Sequence, residues 1–543
     1  MTLPKTDHDG VPVRTYAVHV LKHILLLICG SFLFALSNPG FIFPRGLGFI
    51  AWFAYIPMFV LIRRASFKTV WLYGFVYGVL SYALYVSWLV IFSPVGSIAI
   101  EAQYGVLLLL TFVLIKTAYV LFPEKGWLVG YLVFCAYEYA KTIGFAGFSY
   151  GVTAYTQWKN PLLIQCADLF GVWGLSALVV FPSAWIAELI RLRASVGRRC
   201  VPHAASAAVW FCCLVCAVIY GAAVRKDYST FPTVKVAAVQ HNTDPWVGGM
   251  EAYRRDVADL MRLSDEALAS DPDIKLVVWP ETSVVPSVIR HYTMRPDRSR
   301  FELIKQFLTY VDSKNAVFVV GNDHSVMKQD GSDTEDWNAV LVFTPGKNVL
   351  PPDPGIYRKI RLVPFTESFP WPEQFPGMYQ ALLNGDTHLW SQGHEPVVFH
   401  EAGMSFSTPI CFEDTFGDGC RNMFNNGARA LVNLSNDAWS KSLSCQYQHL
   451  AMAVFRCVEN RIPAVRSTAS GQTCIVDPNG KVVAMAKEFT QTWLTGQLPV
   501  IPDDVSPTLY DRAGDILGKL FVLMAAAVLA AGCVLRIRSR VHG

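Results

Sequence analysis

The stretch Thr408-Pro409-Ile410-Cys411-Phe412-Glu413 places one cysteine at the end of an apolar, β-favouring run that extends from Val397 to Ile410. A helical pattern begins directly afterwards, so the sequence predicts a thiol at a strand-to-helix turn. Backbone N–H groups at the start of a helix favour negative charge, and a thiol beside them is a candidate nucleophile. In a chain with 13 cysteines, a buried structural thiol is the alternative, and from this stretch alone it is the more common role.

The composition of the 543-residue chain indicates a membrane protein with a soluble part attached. Charged residues make up only 16% of the chain, against roughly 25% in a typical soluble domain. Hydrophobic residues make up 52%, and the mean hydropathy is +0.32. The net charge of +4 does not indicate a nucleic-acid-binding protein. The cysteines and histidines lack the spacing of zinc ligands or of a disulfide framework, so we expect neither a metal nor a cofactor.

Eight apolar runs approach the length of a membrane-spanning helix. Lysines and arginines are concentrated in alternate loops between these runs, which places both chain ends in the cytoplasm and the long segment after the seventh run outside it. A miscount by one span would reverse that orientation. We expect a membrane domain at 1–226, a periplasmic α/β domain at 227–505, and an eighth helix with a cytoplasmic tail at 506–543. The runs lie at about 18–37, 46–62, 69–92, 97–122, 126–144, 173–191, 204–224 and 516–535, and the second is short enough to be partly re-entrant.

The segment from 227 to about 505 alternates between strand and helix patterns, which predicts one α/β domain. Strand patterns occur at 234–240, 274–279, 316–321, 339–343, 430–434, within 397–410, and repeatedly from 464 to 498. Helix patterns occur at 250–268, 301–311 and 446–460.

Two further segments of this domain carry candidate catalytic residues. Glu281 follows a buried strand in Val277-Val278-Trp279-Pro280-Glu281, and ligands bind at the carboxyl ends of strands in open α/β sheets. Glu281 is therefore a candidate general base, although a glutamate after a strand is more often simply solvated. Lys359, in Tyr357-Arg358-Lys359-Ile360-Arg361, could hold negative charge that develops on a carbonyl oxygen. A basic surface strand is the alternative for that segment.

Glu281, Lys359 and Cys411, in this order, resemble the catalytic triad of the carbon–nitrogen hydrolase (nitrilase) superfamily. The segments Asn433–Trp439 and Glu459–Arg461 continue the resemblance to the end of the domain. One subfamily, the apolipoprotein N-acyltransferases of Gram-negative-type bacteria, carries such a domain between the seventh and eighth helices of a membrane bundle. The hydrophobic pattern of this chain resembles that architecture from end to end.

The resemblance implies a fold, a reaction and a location. The fold is a membrane α-helical bundle of about eight transmembrane helices plus an α/β nitrilase-like αββα sandwich domain. The reaction moves an acyl chain from a phospholipid, through a Cys411 thioester, to the N-terminal amine of the diacylglyceryl-cysteine of an apolipoprotein. This is ping-pong chemistry without a cofactor. The location is the bacterial inner membrane, with the catalytic domain facing the periplasm, and we expect a monomer that binds no nucleic acid.

The resemblance also implies a role for each member of the triad. Cys411 would attack the phospholipid ester, and Glu281 would take the thiol proton. Lys359 and the backbone N–H of Phe412 would bind the oxyanion. Many members have tyrosine at the position of Phe412, so a role of that hydroxyl is lost here or is taken by another group.

Three residues outside the triad match further functional positions of the family. Glu367 and Glu413 would orient Lys359 and shape the charge around Cys411, although Glu413 could also cap the following helix. Trp246 matches an essential tryptophan, in a short loop that aligns less securely.

The segment from Val363 to Trp390 carries many large apolar side chains for a soluble loop. We expect a mobile arm that touches the bilayer and gates the access of lipid to Cys411. A loop packed on its own domain is the alternative.

Two other functions remain open at this point. A membrane-tethered amidase or nitrilase would pass the acyl group to water through the same first half-reaction. The second is a transporter or scaffold with an inactive appended domain. The intact Glu281, Lys359 and Cys411 argue against it, and a transporter would also need a run of paired intramembrane charges. We expect the charged residues of the apolar runs to be mostly isolated; they are Glu101, Lys116, Glu138, Lys141 and Glu188. Glu138 and Lys141 are spaced to pair on one helix face, but one pair is not a transport pathway. We expect the other cysteines of the soluble domain to be buried and reduced; they are Cys420, Cys445, Cys457 and Cys474.

Overall fold

The computed structural model describes residues 13–193, 201–244, 247–328, 331, 333–383 and 389–541. The chain divides into two compact units. The first comprises Met1–Leu163, Val172–Tyr220 and Asp515–Gly543, and the second comprises Ile164–Gly171 and Gly221–Gly514.

The α-helices are α1 (Val13–Ser37), α2 (Ala51–Ala54), α3 (Ile56–Arg64), α4 (Val70–Tyr85), α5 (Leu89–Phe92), α6 (Pro94–Leu121), α7 (Gly126–Ala140), α8 (Ala167–Arg193), α9 (Val201–Val224), α10 (Met250–Ser270), α11 (Val288–Thr293), α12 (Arg298–Asp312), α13 (Pro376–Leu383), α14 (Gly417–Asn425), α15 (Leu443–Asn460), α16 (Leu509–Ala513) and α17 (Ile516–Val541). The strands are β1 (Thr233–Gln240), β2 (Leu276–Val278), β3 (Val317–Met327), β4 (Thr334–Phe343), β5 (Gly355–Arg358), β6 (Phe399–Glu401), β7 (Met404–Phe406), β8 (Leu431–Ser435), β9 (Ala464–Thr468), β10 (Cys474–Val476), β11 (Val482–Met485) and β12 (Thr492–Pro499).

Within the described ranges, five helical stretches are long and apolar enough to cross a membrane. The apolar run at 46–62 is instead divided into short helices, with Pro57 near the start of α3, where a proline fits but cannot continue a preceding helix. Helices α4 and α7 are apolar but have only 16 and 15 residues. Eight spanning helices therefore remain a prediction, of which five are supported. The five stretches are Ala17–Ser37, Pro94–Leu121, Leu163–Leu192, His203–Thr230 and Ile516–Ser539.

Buried carboxylates of the first unit form ion pairs. Lys141 Nζ lies 2.7 Å from Glu138 Oε1, as their spacing predicts. The expectation that Glu188 is isolated is wrong, because Arg63 and Arg191 approach its carboxylate to 2.6 and 2.5 Å. Arg63 comes from α3, a distant part of the chain, so the local sequence around Glu188 could not reveal this partner.

The second unit contains two main sheets and a short hairpin. One sheet has six strands in the order β12-β1-β2-β3-β4-β5, and the other has four in the order β11-β10-β9-β8. Strands β1, β2 and β3 are parallel to one another, and β4, β5 and β12 are antiparallel to their neighbours. Strands β6 and β7 form the hairpin.

The two sheets lie face to face, with helices outside them. The Ser467 hydroxyl on β9 lies within hydrogen-bond distance of the carbonyls of Val239 and Val278, at 2.8 and 3.0 Å, and its single O–H, shared between them, ties one sheet to the other. Helices α10 and α12 contribute their apolar faces to a core shared with β1, β2, β3 and β4. Helix α15 is buried along almost its whole length on the side of the four-stranded sheet, as expected for a helix covered on several faces. The second unit thus has the predicted helix–sheet–sheet–helix layering.

Candidate active site

Three segments distant in sequence meet where strands end. Glu281 follows β2, Lys359 directly follows β5, and Cys411 follows the hairpin strand β7. Lys359 Nζ lies 3.3 Å from Glu281 Oε1. The Glu281 carboxylate and the Lys359 ammonium are both close enough to Cys411 to act on the pKa of its thiol. The structure therefore brings together the three residues of the predicted triad.

Glu281 is oriented by an amide that the sequence interpretation missed. Asn338 Nδ2 on β4 donates to Glu281 Oε1 at 2.8 Å, and Lys359 Nζ contacts the same oxygen. Among the residues that the structure describes, the other carboxylate oxygen, Oε2, has no hydrogen-bond partner and can receive a proton. Asn338 directly precedes the apolar run at 339–343, but nothing in the local sequence marks it as a partner of Glu281.

Lys359 is fully buried and lies between two carboxylates. Its Nζ donates to Glu367 Oε1 at 2.8 Å as well as contacting Glu281. Burial alone would lower the pKa of Lys359, but the Glu367 and Glu281 carboxylates outweigh it and raise the pKa well above its ordinary value. The ammonium therefore stays charged. Glu367 Oε2 in turn accepts from the backbone N–H of Val363 at 2.8 Å, which fixes the carboxylate.

Glu413 joins the lysine segment to the cysteine turn. Burial raises the pKa of this carboxyl above its ordinary value, and the backbone N–H groups that donate hydrogen bonds to it offset part of that rise. Its donors are the backbone N–H groups of Ile360, Arg361 and Ile410, at 2.7 to 2.9 Å, and the hydroxyl of Tyr357 at 2.9 Å. Because these donors flank Lys359 on one side and Cys411 on the other, Glu413 sets their relative position in addition to closing the turn.

Cys411 occupies a strained position at the start of the 3₁₀ turn Cys411–Thr415. Its φ of 50° lies in the left-handed region that non-glycine residues rarely adopt, and such strain clusters at functional sites. N–H groups in the first turn of a helix have no intrahelical partner, so the Phe412 N–H can donate to a ligand. The Phe412 ring is buried and packs edge-on against Phe416, with centroids 4.7 Å apart. Trp246 lies outside the residues that the structure describes.

The Cys411 thiol is neutral at rest. Burial raises the pKa of this thiol far above its ordinary value, the Glu281 carboxylate raises it further, and the Lys359 ammonium offsets only part of the increase. The favourable effect of backbone N–H groups at the turn is therefore not enough to produce a resting thiolate. For such a thiol to act as a nucleophile, an adjacent base would have to take its proton.

Gly321 on β3 lets the Glu281 turn lie close to the sheet. A Cβ at this position would come within 2.4 Å of the Pro280 carbonyl oxygen and 2.5 Å of the Thr282 nitrogen. We expect Gly321→Ala to displace Glu281, to slow acylation of Cys411, and to lower stability by about 1–3 kcal/mol. Thermal unfolding in detergent and the rate of adduct formation measure the two effects. Gly419→Ala, whose Cβ would have ordinary contacts, is the control, and equal behaviour of both variants would contradict the argument.

Asp323, two residues after Gly321 on β3, makes the stability of this part of the fold depend on pH. Burial, together with the nearby Asp336 carboxylate, raises the pKa of Asp323 to about 7. The folded state thus holds a proton between pH 4 and 7 that the unfolded state releases, so the stability of the fold falls as the pH rises through this range. Asp323→Asn removes that loss. We expect it to raise the melting temperature more at pH 8 than at pH 5, by the equivalent of about 2 kcal/mol. A pH-independent effect would contradict the assignment.

The other cysteines of the second unit are buried, as predicted, and none of them forms a disulfide within the described residues. Burial raises the pKa of Cys420 to about 12 and of Cys474 to about 11, so these thiols are poor nucleophiles at neutral pH. Among the described residues, no group of three His, Cys, Asp or Glu side chains is arranged to hold a metal ion.

The segment predicted to be an arm leaves the site at Glu367. It contains the short helix α13 and a cluster in which Phe369 contacts the rings of Phe365, Trp371 and Tyr379. Residues 384–388 lie outside the described ranges. Large apolar side chains of the segment that are exposed are Phe365, Trp371, Phe375, Met378 and Leu383.

Comparison with known proteins gives two family matches. Residues 235–501 match the carbon-nitrogen hydrolase family, and residues 30–185 match the apolipoprotein N-acyltransferase N-terminal domain. The chain is 43% identical to "Apolipoprotein N-acyltransferase 1" of Treponema pallidum, over 95% of this chain and 96% of that protein. It is 38% identical to the protein of the same name from Treponema denticola, over 92% and 94%. The solved structure of Saccharomyces cerevisiae Nit3, a member of the nitrilase superfamily, matches 50% of this chain and 92% of that chain at 18% identity, with a TM-score of 0.36.

Proposed function

The chain belongs to the apolipoprotein N-acyltransferase family, and on that premise we propose that it transfers an acyl chain from a phospholipid to the N-terminal amine of a diacylglyceryl-cysteine on an apolipoprotein. The observation that carries the proposal is the contact of Lys359 with Glu281 beside the Cys411 thiol. This set combines a nucleophile, a base and a fixed positive charge.

In the first half-reaction, Cys411 attacks the ester carbonyl of the phospholipid. Glu281 takes the thiol proton on Oε2 and returns it to the alkoxide of the leaving lysophospholipid. The Lys359 ammonium and the Phe412 N–H stabilise the tetrahedral oxyanion. The C–O bond of the ester breaks, and the acyl chain remains on Cys411 as a thioester.

In the second half-reaction, the lipoprotein amine attacks the thioester carbonyl. Glu281 now takes a proton from the amine and gives it to the departing Cys411 sulfur. Because an amine attacks a thioester readily and the product is a stable amide, the transfer runs to completion. The two half-reactions make the mechanism ping-pong.

The protein is a membrane protein, and we propose that it resides in the bacterial inner membrane as a monomer. The basic loops support an orientation in which residues 227–505 face the periplasm, between seven preceding helices and one following helix. That side is where a diacylglyceryl-cysteine exposed on the outer leaflet would meet Cys411.

The exposed apolar side chains between Val363 and Trp390 support a mobile arm that touches the bilayer and gates lipid access. We expect limited proteolysis to cut this segment less when phospholipid vesicles are present. Equal cleavage with and without vesicles would argue for a loop that packs only on its own domain.

The reaction is tested with purified full-length protein, a phospholipid and a synthetic diacylglyceryl-cysteine peptide. Mass spectrometry of the peptide should show one added acyl chain in amide linkage, and Cys411→Ala should give none. Release of free fatty acid without acylated peptide would instead identify a hydrolase. Absence of both products in lipid-replete detergent would contradict either activity.

A further inference from the structure

His449 contacts the 3₁₀ turn Cys411–Thr415 and has no part in the reaction proposed above. It is on α15, with only 2% of its side chain exposed. Its Nε2 lies 2.8 Å from Asp414 Oδ1 and 3.2 Å from the carbonyl oxygen of Cys411. Its Nδ1 lies 3.0 Å from Asp437 Oδ1. Both ring nitrogens of this buried histidine thus face oxygen acceptors.

Two carboxylates, one at each ring nitrogen, favour the charged form of His449. An ionised carboxylate only accepts hydrogen bonds, so a ring between two carboxylates donates from both nitrogens, as only an imidazolium can. Arg466 Nη1 on β9 donates to the second oxygen of Asp414. The buried groups therefore alternate in sign, in the order Asp437, His449, Asp414 and Arg466. Burial lowers the pKa of His449, but the Asp437 carboxylate, with smaller effects from the Cys411 carbonyl and Glu281, raises it above its ordinary value.

The contact of His449 with the Cys411 carbonyl connects these buried charges to the peptide bond between Cys411 and Phe412. The carbonyl of Cys411 and the N–H of Phe412 belong to one planar peptide unit and point in opposite directions. The single Nε2–H of His449 is shared between Asp414 Oδ1 and this carbonyl, and a donor that restrains the carbonyl oxygen also restrains the direction of the N–H. Asn433 Nδ2 approaches the same carbonyl at 3.4 Å and adds a second, weaker restraint. The left-handed φ of Cys411 makes such restraint necessary.

We propose that His449, as an imidazolium held between Asp414 and Asp437, is a positioning residue that aims the Phe412 N–H at the oxyanion and holds Cys411 in its strained conformation. This inference rests on the proposed acylation of Cys411. His449 touches neither substrate nor thiol, and it acts through the peptide between Cys411 and Phe412.

The test compares two reactions of the same thiol in full-length protein. Acylation by phospholipid develops an oxyanion, whereas alkylation of Cys411 by iodoacetamide does not. We expect His449→Gln to slow acylation by about 10²-fold, the usual effect of losing one oxyanion donor. Alkylation of the Cys411 peptide, measured by mass spectrometry, should change by less than about fivefold. A role in folding alone would slow both reactions together.

Two further variants complete the design. His400→Gln changes an exposed histidine of the β6–β7 hairpin in the same unit, and it should leave both rates unchanged. Asp414→Asn keeps an oxygen acceptor for His449 and serves if His449→Gln does not fold. It should show a smaller loss, again confined to acylation.

The outcomes separate this inference from the reaction on which it rests. If wild-type protein is alkylated but never acylated, the proposed function fails, and with it the role assigned to His449. If wild type is acylated and His449→Gln acylates within threefold of it, only the positioning role fails. Equal slowing of acylation and alkylation in His449→Gln would also overturn that role.

Discussion

Glu281→Gln is expected to slow formation of the Cys411 adduct by about 10²- to 10⁴-fold, the usual contribution of a positioned general base. Glutamine keeps the shape of the side chain and an oxygen for Asn338 and Lys359, which both contact Oε1. It removes the carboxylate that we propose takes the thiol proton. Stopped or quenched reactions with phospholipid, followed by intact mass spectrometry, measure the rate.

In the same variant, we expect alkylation of Cys411 to become easier while acylation becomes slower. Because the Glu281 carboxylate raises the pKa of the Cys411 thiol, its removal lowers that pKa. Alkylation of Cys411 in Glu281→Gln should therefore begin at a lower pH than in wild type, while acylation is slower. Glu302→Gln, an exposed glutamate paired with Arg298 on α12, is the matched control. An acylation rate within tenfold of wild type would show that Glu281 is not the base.

Lys359→Met is expected to reduce both activity and stability. Lys359 lies 3.3 Å from Glu281 and 2.8 Å from Glu367, and all three side chains are largely buried. Removing the ammonium leaves two carboxylates without their shared counter-charge, which costs about 3–5 kcal/mol for a buried pair. It also removes one oxyanion donor. Thermal unfolding in detergent and the acylation rate report the two effects.

A double variant separates the two roles of Lys359. Lys359→Met with Glu367→Gln removes one of the unpaired carboxylates, so we expect it to regain part of the melting temperature but none of the activity. Lys305→Met, an exposed lysine of α12, should behave like wild type. An unchanged melting temperature in Lys359→Met would contradict the buried charge arrangement described above.

Much of the second unit could be predicted because local patterns decide it. The buried strand before Glu281, the helix at 446–460 and the turn residue Cys411 were located from apolar runs and strand-end polar residues. The boundaries were less accurate. Strand β3 continues six residues beyond Gly321 to Met327, because its hairpin with β4 extends past the apolar core into polar sequence. The ends of β3 and β4 pair through backbone hydrogen bonds but carry polar side chains, so no alternation of apolar residues marks them in the sequence.

The supporting residues of the site could not be predicted from local sequence, because they act through strand register and distant helices. Asn338 reaches Glu281 from β4, which is separated in the sheet by β3 from β2, the strand that Glu281 follows. His449 reaches the Cys411 carbonyl from α15, and Asp437 reaches His449 from the loop after β8. No spacing in the sequence relates these residues. The first unit shows the same limit, since Arg63 and Glu188 pair across distant helices.

The most direct test of the central claim is the mass of the protein itself after incubation with phospholipid. Wild type should gain the mass of one acyl chain, located on Cys411 by peptide mapping and released by neutral hydroxylamine as a thioester. Cys411→Ala should gain none, and a diacylglyceryl-cysteine peptide should discharge the wild-type adduct much faster than water does. No adduct under lipid-replete conditions, or an equal adduct on Cys411→Ala, would contradict the assignment of Cys411 as the acyl-carrying nucleophile.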